Sequence, residues 1–297
     1  MSDRWTAERI ADQTGRRVVI TGASSGIGAE AARVVAAKGA EVVLAVRNVS
    51  KGEAVAQRIA DQFAGSRVTV RSLDLASLAS VRAFAAEFAA DYDRLDVLVN
   101  NAGVMVPPYA KTEDGFELQM GTNHFGHFAL TGLLMPLLEA TDGSRIVNVS
   151  SLAYRYGDID FDDLHWEKRE YQAWRAYGDS KLANLYFTFE LVRRYRTRGG
   201  PLAVAAHPGY TATELQRYSR LYQLLNPLFG MKPAMGALPT LRAGFDPEVK
   251  PGEFYGPDRL GHWRGYPAPH QVSEKARDED AAARLWEVSV GLTGVQY

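Results

Sequence analysis

Short apolar runs alternate with longer amphipathic stretches through the first two thirds of the chain. Several of these runs are apolar at consecutive positions, which is typical of strands in a parallel sheet that is covered on both faces. The pattern predicts strands at 17–21, 41–46, 68–73, 96–100, 145–149 and 202–206. It predicts helices at 26–38, 51–63, 78–89, about 116–139 and 171–198. This alternation indicates a doubly wound α/β fold with helices on both faces, a three-layer sandwich.

The pattern changes after residue 210. Residues 214–235 are rich in Tyr, Leu, Pro and Met and have no clean period. The remaining predicted elements are a short helix near 235–243, a seventh strand near 253–255, a loop over 256–270 and a closing helix over 278–292. We expect residues 210–270 to cover a ligand site. The alternative is an ordinary connection with an apolar underside.

Composition is ordinary for a globular protein with a sizeable core: 46% of the 297 residues are hydrophobic and 23% are charged. We find no linker or internal repeat, so residues 1–297 are predicted to form a single domain. The formal net charge is −1, which gives no electrostatic reason to expect nucleic acid or an anionic membrane as a partner.

The absence of cysteine excludes disulfides, thiolate nucleophiles and cysteine-ligated zinc. No apolar run reaches the length of about 18 residues that a membrane-spanning helix needs, and the polar N-terminus lacks a signal peptide's apolar core. We therefore expect a cytoplasmic protein. His124 and His127 lie one helical turn apart without a carboxylate at ligand spacing. We expect them on a helix surface or in the core, and we expect no metal site.

A glycine-rich turn, Gly-x-x-x-Gly-x-Gly, follows the first predicted strand and opens the first helix. Glycines permit a tight turn and a close backbone approach, and the N-terminus of the helix offers N–H groups and positive charge to a pyrophosphate. This turn therefore predicts a dinucleotide site. The predicted contacts are Gly22, Ser24, Ser25, Gly26, Ile27 and Gly28.

The second predicted strand ends at Arg47 and Asn48, beneath the expected adenosine ribose. A carboxylate at this place would bind the ribose 2′-hydroxyl of NAD, whereas arginine suits the 2′-phosphate of NADP. No carboxylate is present here. We therefore predict a preference for NADP(H), with NAD(H) left open. The alternative is that Arg47 is a solvated charge at the end of a strand.

Polar or small residues also follow the third and fourth strands. Asp74, followed by Leu75, is placed to accept a hydrogen bond from the adenine amino group, or else to cap the helix that begins near Ser77. The small residues Asn101, Ala102 and Gly103 would let the backbone approach a cofactor. Ordinary turn chemistry is the alternative for these three.

Tyr177 and Lys181 lie four residues apart near the start of a predicted helix, so their side chains share one face. A phenol has an ordinary pKa of ~10, and a nearby ammonium lowers it by favouring the phenolate. The pair could therefore act as a general acid and base. The alternative is a packed tyrosine beside a solvated lysine.

Together these motifs resemble the short-chain dehydrogenases/reductases of the single-domain, Rossmann type. The matching segments, in family order, are Thr-Gly-x-x-x-Gly-Ile-Gly at 21–28, Asn-Asn-Ala-Gly at 100–103, Ser-Ser at 150–151, Tyr-x-x-x-Lys at 177–181 and Pro-Gly at 208–209. The resemblance covers about residues 15–295. It implies a cofactor-dependent interconversion of carbonyls and alcohols.

The resemblance implies a role for each matching residue. Tyr177 would be the general acid in reduction, and Lys181 would tune it and bond the nicotinamide ribose. Ser151 would hold the substrate oxygen, and Asn123 would hold a proton-relay water. The structural alternatives are a cap for Ser151 and a polar helix-interior position for Asn123. Further cofactor contacts are implied at Pro208, Gly209, Thr211 and Thr213.

One departure from the common family pattern is the long gap between Ser151 and Tyr177, which are 26 positions apart. The inserted segment, 152–176, is similar to that of the branch containing retinol dehydrogenases, protochlorophyllide reductases and the WW-domain oxidoreductase. The retinol enzymes' membrane-anchoring N-terminal helix is missing, and so is the cysteine that plant protochlorophyllide reductases place within the Tyr-x-x-x-Lys motif. Both points argue against retinol and protochlorophyllide as the particular substrates.

These observations predict an NADP(H)-dependent oxidoreductase that interconverts a carbonyl compound and an alcohol. An apolar, bulky small-molecule substrate is suggested by Tyr210, Tyr218, Tyr222, Phe229 and Trp263. One alternative is a catalytically idle dinucleotide-binding sensor or scaffold, and another is an epimerase or dehydratase. The family often pairs its long helices into homodimers or homotetramers, which the inserted segment could block.

Overall fold

The computed structural model describes residues 4–195, 197–212 and 230–297. Its strands are β1 (Arg17–Thr21), β2 (Glu41–Val46), β3 (Arg67–Ser72), β4 (Val97–Asn100), β5 (Arg145–Val149), β6 (Leu202–Ala206), β7 (Phe254–Arg259) and β8 (Arg264–His270). Its α-helices are α1 (Gly26–Ala37), α2 (Val49–Gln62), α3 (Leu78–Asp91), α4 (Leu118–Met120), α5 (Gly126–Glu139), α6 (Ala173–Tyr195), α7 (Pro233–Gly236), α8 (Leu238–Phe245) and α9 (Glu279–Thr293).

Other helical turns complete the described chain. A π-helical turn, Gly121–Phe125, joins α4 to α5, so the predicted helix over 116–139 is continuous but locally widened. Short 3₁₀ helices lie at Ala7–Arg9, Leu152–Tyr156 and Glu274–Arg277. No helix in the described ranges is long and apolar enough to cross a membrane.

The eight strands form one sheet in the order β3-β2-β1-β4-β5-β6-β7-β8, and only β8 runs antiparallel to its neighbour. The predicted doubly wound α/β fold is confirmed. In register, Thr21 lies beside Ala45, and Asn100 lies beside Asn148. The residues that follow β1, β2, β4 and β5 therefore meet at one edge, where the strand order reverses between β1 and β4. Ligands bind at such a reversal in open α/β sheets.

Consecutive apolar residues in the strands supply two cores, one on each face of the sheet. Val18 and Ile20 face one side, with α1 and α8 packed on them. Val19 faces the other side, with α3, α5 and α6 packed on it. Both faces of β1 are thus buried, which explains why this strand lacks the alternating pattern of a half-exposed strand.

The predicted loop over 256–270 is wrong: this segment forms most of a hairpin, β7–β8. The prolines and glycines of this segment are typical of loops and led to the wrong prediction. Pro267 and Pro269 lie in β8, the edge strand, where proline is tolerated because half of the N–H groups have no neighbour to bond. Within the described residues, the sheet therefore has eight strands instead of about seven.

Candidate active site

A cleft of about 300 Å³ opens at the carboxyl edge of the sheet, where the strand order reverses. Every contact predicted from the first four strands lines it. These residues are Gly22, Ser24, Ser25, Gly26, Ile27, Gly28, Arg47, Asn48, Asp74, Leu75, Asn101, Ala102 and Gly103. The cleft is also lined by residues that the sequence did not single out, namely Ala45, Lys51, Leu73, Val104, Met105 and Thr122.

The glycine-rich turn packs directly on the loop after β4. Gly22 has φ +68°, and a Cβ there would lie 2.8 Å from the Ala102 Cα. A Cβ on Gly28 would lie 2.6 Å from the Asn101 side-chain nitrogen. Only glycine fits these close approaches without a shift of backbone or side chain. The turn thus leaves the N-terminus of α1 facing the cleft, as a pyrophosphate site requires.

A buried hydrogen-bond chain fixes the same turn from beneath. Thr21 Oγ accepts from the backbone N–H groups of Asn101 and Ala102, each at 2.9 Å. His127 Nδ1 lies 3.0 Å from the Asn123 carbonyl oxygen, which can only accept, so this nitrogen carries the proton. The other ring nitrogen, Nε2, is then left to accept from Thr21 Oγ at 2.9 Å. The chain couples the cofactor turn to the π-helical turn.

At the adenosine end, two cationic side chains line the cleft, Arg47 and Lys51. Asn48 caps α2 by accepting from the Lys51 N–H at 2.9 Å, so the start of this helix positions both cations. Lys51 lies in the first turn of α2, only four positions after Arg47, and a second cation so soon after the end of β2 is the sequence signal that could have identified it. Asp74 accepts from the Ala76 N–H at 2.9 Å and orders the turn, whereas Ser77 caps α3.

Tyr177 and Lys181 lie on α6, and both are buried. The lysine Nζ lies 5.7 Å from the centre of the tyrosine ring and donates to the Val149 carbonyl at 3.1 Å. Burial lowers the pKa of Lys181 to about 8. An ammonium this close favours the charged form of a phenol, as the predicted acid–base pair requires.

Asn123 lies beside this pair, in the π-helical turn. Its side chain donates to Ser180 Oγ at 2.9 Å and to the Val104 carbonyl at 3.0 Å, and accepts from the Val104 N–H at 2.8 Å. A Cβ added to Gly103 would lie 2.9 Å from Asn123 Oδ1 and 3.7 Å from Lys181 Nζ. Gly103 lines the cleft, so both groups lie just behind the cleft wall, although neither of them lines it.

Ser151 is the N-cap of the 3₁₀ helix that follows it, and its Oγ accepts from the Ala153 N–H at 3.2 Å. The capping alternative is thus present in the structure. Ala153 in turn packs with Met105 and Val106 against Tyr177. The cap therefore fixes Ser151 two positions before Ala153, which contacts the tyrosine.

Several implied site residues are not among those that line the cleft in the described ranges, namely Asn123, Ser151, Tyr177, Lys181, Pro208, Gly209 and Thr211. Pro208, Gly209 and Thr211 belong to a loop that packs on the β7–β8 hairpin. A Cβ on Gly209 would lie 2.5 Å from the Trp263 carbonyl, and Thr211 Oγ donates to the Pro208 carbonyl at 2.9 Å. Thr213, Tyr218, Tyr222 and Phe229 lie outside the described residues.

The inserted segment, 152–176, is anchored on α6, the helix that carries Tyr177. Asp179 accepts from the Asp158 N–H at 2.7 Å, and its other oxygen lies 3.8 Å from the Arg169 guanidinium. Burial raises the pKa of Asp179 to about 7, because the distant guanidinium only partly offsets the loss of hydration. Two residues of the segment, Asp158 and Arg169, thus contact Asp179, which lies two positions after Tyr177 on α6.

The chain is similar in sequence to one protein family and to several characterised proteins. Residues 16–223 match the family model described as short chain dehydrogenase. Mouse retinol dehydrogenase 12 is 44% identical, over 95% of this chain and 88% of the relative. Human retinol dehydrogenase 13 is 42% identical, over 95% of this chain and 86% of the relative.

Two solved structures are also similar to this chain. A crystal structure of an uncharacterised Mycobacterium paratuberculosis protein is 44% identical, with 99% of each chain covered and a TM-score of 0.85. A short chain dehydrogenase from Shigella flexneri, in complex with NADP, is 28% identical, with 83% of this chain and 98% of that chain covered and a TM-score of 0.64.

Proposed function

The chain belongs to the short-chain dehydrogenases, in the branch of the retinol dehydrogenases, and from that premise we propose hydride transfer between NADP(H) and a bulky, apolar carbonyl compound or its alcohol. Membership of this branch makes the protein an oxidoreductase that interconverts alcohols and carbonyls. The proposal adds the cofactor preference, the residues that move the proton and the kind of substrate. Its main support is that Tyr177, Lys181 and Asn123 gather beside the glycine-lined cleft.

The cleft fits a nicotinamide dinucleotide. Gly22, Gly28 and Gly103 each lie where a Cβ would clash with a neighbour, so the backbone and the cleft come together without side chains between them. When bound, the nicotinamide ring supplies or accepts the hydride. The protein's part is to orient the reactants and to handle the proton and the charge.

Tyr177 is proposed to hold that proton at its phenol oxygen and give it to the substrate oxygen during reduction. Lys181 is proposed to stabilise the phenolate that remains, since it is a buried cation 5.7 Å from the ring centre. Ser151 is proposed to donate a hydrogen bond to the substrate oxygen as negative charge develops there. Asn123 is proposed to hold the relay water beside the lysine.

The proposed preference for NADP(H) follows from the charges at the adenosine end. Arg47 and Lys51 both line this end of the cleft, and the residue that follows β2 is an arginine where an NAD enzyme has a carboxylate. A guanidinium can bond a phosphate with two parallel N–H groups. The NADP complex of the Shigella flexneri neighbour is consistent with this preference.

The proposed substrate is apolar because apolar groups surround the tyrosine. Met105, Val106 and Ala153 pack against Tyr177, and Trp174 lies edge-on to it with 6.3 Å between ring centres. Trp174 is nevertheless 41% exposed, so it can meet a ligand from outside. Burying such surface favours binding of an apolar molecule in proportion to its area.

The proposed reaction is tested by following the absorbance of NADPH with aldehydes, ketones and quinones of increasing size, retinal among them. We expect faster turnover with the larger, apolar compounds, and a loss of roughly 10²-fold or more in kcat for Tyr177→Phe. NADPH affinity of this variant should change little, because the ring is retained. Turnover of small hydrophilic carbonyls alone would contradict the proposed substrate class.

The cofactor preference is tested by measuring Kd for NADPH and NADH. Arg47→Ala should reduce the NADPH-over-NADH preference roughly tenfold or more, because a charge-assisted phosphate contact is lost. Arg58→Ala is the matched control, since Arg58 is an exposed arginine on α2, the helix that follows Arg47, and does not line the cleft. An unchanged NADPH-over-NADH preference in Arg47→Ala would show that this arginine does not bind the 2′-phosphate.

The rival function is a dinucleotide-binding sensor or scaffold without catalysis. It makes a distinct prediction, namely that NADPH binds while neither the carbonyl panel with NADPH nor an alcohol panel with NADP⁺ turns over. The packing of Lys181 and Asn123 around Tyr177 favours the enzyme, because a protein that only binds the cofactor has no need of an acid–base pair beside it.

A further inference from the structure

Val106 adopts a backbone conformation that its side chain disfavours. Its φ is +46°, in the left-handed region where a β-branched residue is rarely found. Such outliers persist where surrounding structure imposes them, and they concentrate at functional sites. Val106 and Met105 form, with Ala153, the apolar wall against Tyr177. The unusual backbone therefore lies in the loop that shapes this wall.

The side chain of Gln119 holds this loop. Gln119 is fully buried, and its Oε1 accepts from the Val106 N–H at 2.9 Å. Its Nε2 donates to the Ala173 carbonyl at 2.9 Å and to the Tyr171 hydroxyl at 2.8 Å. The orientation of the amide is determined by these partners, because the Val106 N–H can only donate and the Ala173 carbonyl can only accept.

These bonds join three parts of the site. Gln119 lies in α4, Val106 in the loop after β4, and Ala173 at the first turn of α6, one turn before Tyr177. Glu117 supports the arrangement by accepting from the Tyr171 hydroxyl at 3.0 Å and from the N–H groups of Gln119 and Met120. The buried side-chain amide of Gln119 thus links the apolar wall, through Val106, to the start of α6, through Ala173.

We propose that Gln119 is a positioning residue that fixes Met105 and Val106 against Tyr177 and so sets the width of the carbonyl pocket. This inference rests on the proposed function, in which Tyr177 meets the substrate oxygen. Gln119 accepts from the Val106 N–H, so its loss removes a bond that offsets part of the cost of the left-handed conformation of Val106. The loop would then relax toward negative φ and carry the wall away from the tyrosine.

The first test is Gln119→Met, which keeps the length of the side chain but removes its hydrogen bonds. We expect KM for a bulky aldehyde to rise roughly tenfold and kcat to fall less, because the pocket is misshapen while the acid–base pair remains. Affinity for NADPH should change by less than about threefold, since Arg47 and the glycine-rich turn are untouched.

A double-mutant cycle separates positioning from general destabilisation. Glycine adopts φ +46° without strain, so in a Val106→Gly background the loop no longer needs to be held in place. The effect of Gln119→Met on KM should therefore be several-fold smaller there than in the wild type. Equal effects in the two backgrounds would overturn the inference.

Hydrogen exchange provides a readout that does not depend on activity. The Val106 amide bonds to Gln119 Oε1, so its exchange should accelerate in Gln119→Met. Ser289→Ala is the matched control, because it removes a buried hydroxyl on α9 that bonds to His124 and Leu285 and not to this loop. The control should leave Val106 exchange unchanged.

The outcomes distinguish the two proposals. If no carbonyl turns over in the wild type, the proposed function fails, and the exchange measurement still decides whether Gln119 holds the loop. If the wild type is active but Gln119→Met leaves both KM and Val106 exchange unchanged, the positioning role fails and the proposed function stands. Equal acceleration of Val106 exchange in Ser289→Ala would also overturn the positioning role.

Discussion

His124 and His127 lie one helical turn apart, and both are fully buried and uncharged. Burial lowers the pKa of His124 to about 3 and that of His127 to about 4. His127 has partners for both ring nitrogens, in the chain that joins Thr21 to Asn123. His124 bonds Ser289 through Nε2, while its Nδ1 has no hydrogen-bond partner in the described structure. Of the two expected positions, a helix surface or the core, both histidines therefore occupy the core.

His124 should make the protein sensitive to acid. Its folded-state pKa lies below the ordinary ~6.5, so the unfolded chain takes up a proton first as pH falls. The neutral ring's contribution to stability is complete above pH ~6.5 and is lost progressively down to pH ~3. At pH ~5 this loss is about 2 kcal/mol. His124→Phe should remove that part of the pH dependence, because the ring already lies among Phe125, Phe128 and Phe187.

The measurement is urea unfolding of wild type and His124→Phe at neutral pH and at pH ~5. Near neutrality the two free energies of unfolding should agree within about 1 kcal/mol, since only the bond to Ser289 is lost. The difference should favour the variant at the lower pH. The same fall in stability for both proteins would show that His124 is not a source of the acid sensitivity.

Individual residues differ in how far local sequence predicts them. Arg47 and the glycines of the turn belong to short motifs with a fixed place in a strand–helix junction, and each lines the cleft as predicted. Gln119 has no such motif. Its side-chain partners lie 13, 52 and 54 positions away, so only the folded chain brings them together. Contacts of this kind carry no local signal.

At the scale of elements, the inserted segment meets α6 through two glycines. A Cβ on Gly178 would lie 2.8 Å from the Gly157 nitrogen and 2.9 Å from the Ala153 carbonyl. A Cβ on Gly157 would lie 2.5 Å from the Gly178 carbonyl. The obstructing atoms are backbone, so they cannot rotate away. The segment can therefore pack directly on α6, next to Tyr177.

Gly178→Ala should disturb both stability and catalysis. Overpacking against backbone costs about 1–3 kcal/mol, and the displaced segment carries Ser151 and Ala153 away from the tyrosine. Gly291→Ala is the matched control, because Gly291 lies in α9 with open space around it, and alanine there should stabilise the helix by about 0.5–1 kcal/mol. Unfolding free energies and kcat/KM check both variants. If Gly178→Ala and Gly291→Ala had the same unfolding free energy and the same kcat/KM, the close packing at Gly178 would be refuted.

Two elements show where the hydrophobic pattern is a poor guide. The β7–β8 hairpin contains prolines that normally indicate a loop, and it is stable because β8 lies at the edge of the sheet. The π-helical turn is likewise invisible in the pattern of 116–139. It coincides with Asn123, whose side chain bonds Val104 and Ser180 instead of facing solvent. Both elements are determined by contacts between residues that are distant in the sequence, and not by local conformational preference.

At the scale of the whole molecule, α9 and the residues after it cover part of the face that the long helices would use to pair between subunits. The Trp286 ring packs against Phe128 of α5 and Phe187 of α6, with ring centres 5.1 and 6.0 Å apart. Tyr297 donates to the Phe128 carbonyl at 2.6 Å. A Cβ on Gly132 would lie 2.7 Å from the Tyr297 ring. The chain's own residues therefore occupy this apolar surface.

The two edges of the sheet are also poorly suited to pairing. Proline lacks the N–H that an added strand would need, and β8 contains Pro267 and Pro269. At the opposite edge, β3 carries Arg67 and Arg71, the latter paired with Asp91 at 2.5 Å. Charged side chains on an edge strand discourage association with a second sheet. Neither edge therefore offers a flat apolar strand.

We accordingly predict that the protein is a monomer at micromolar concentration and does not pair through α5 and α6. Light scattering after gel filtration should give the mass of one chain. Trp286→Ala should expose Phe128 and Phe187 and promote association, because a large apolar patch on a protein surface tends to find a partner. Leu292→Ala is the control, since Leu292 is on α9 but 37% exposed, and it should leave the mass unchanged. A wild-type dimer whose cross-links join α5 or α6 of the two copies would contradict the prediction, because α9 and Tyr297 would have to leave that face for the helices to meet.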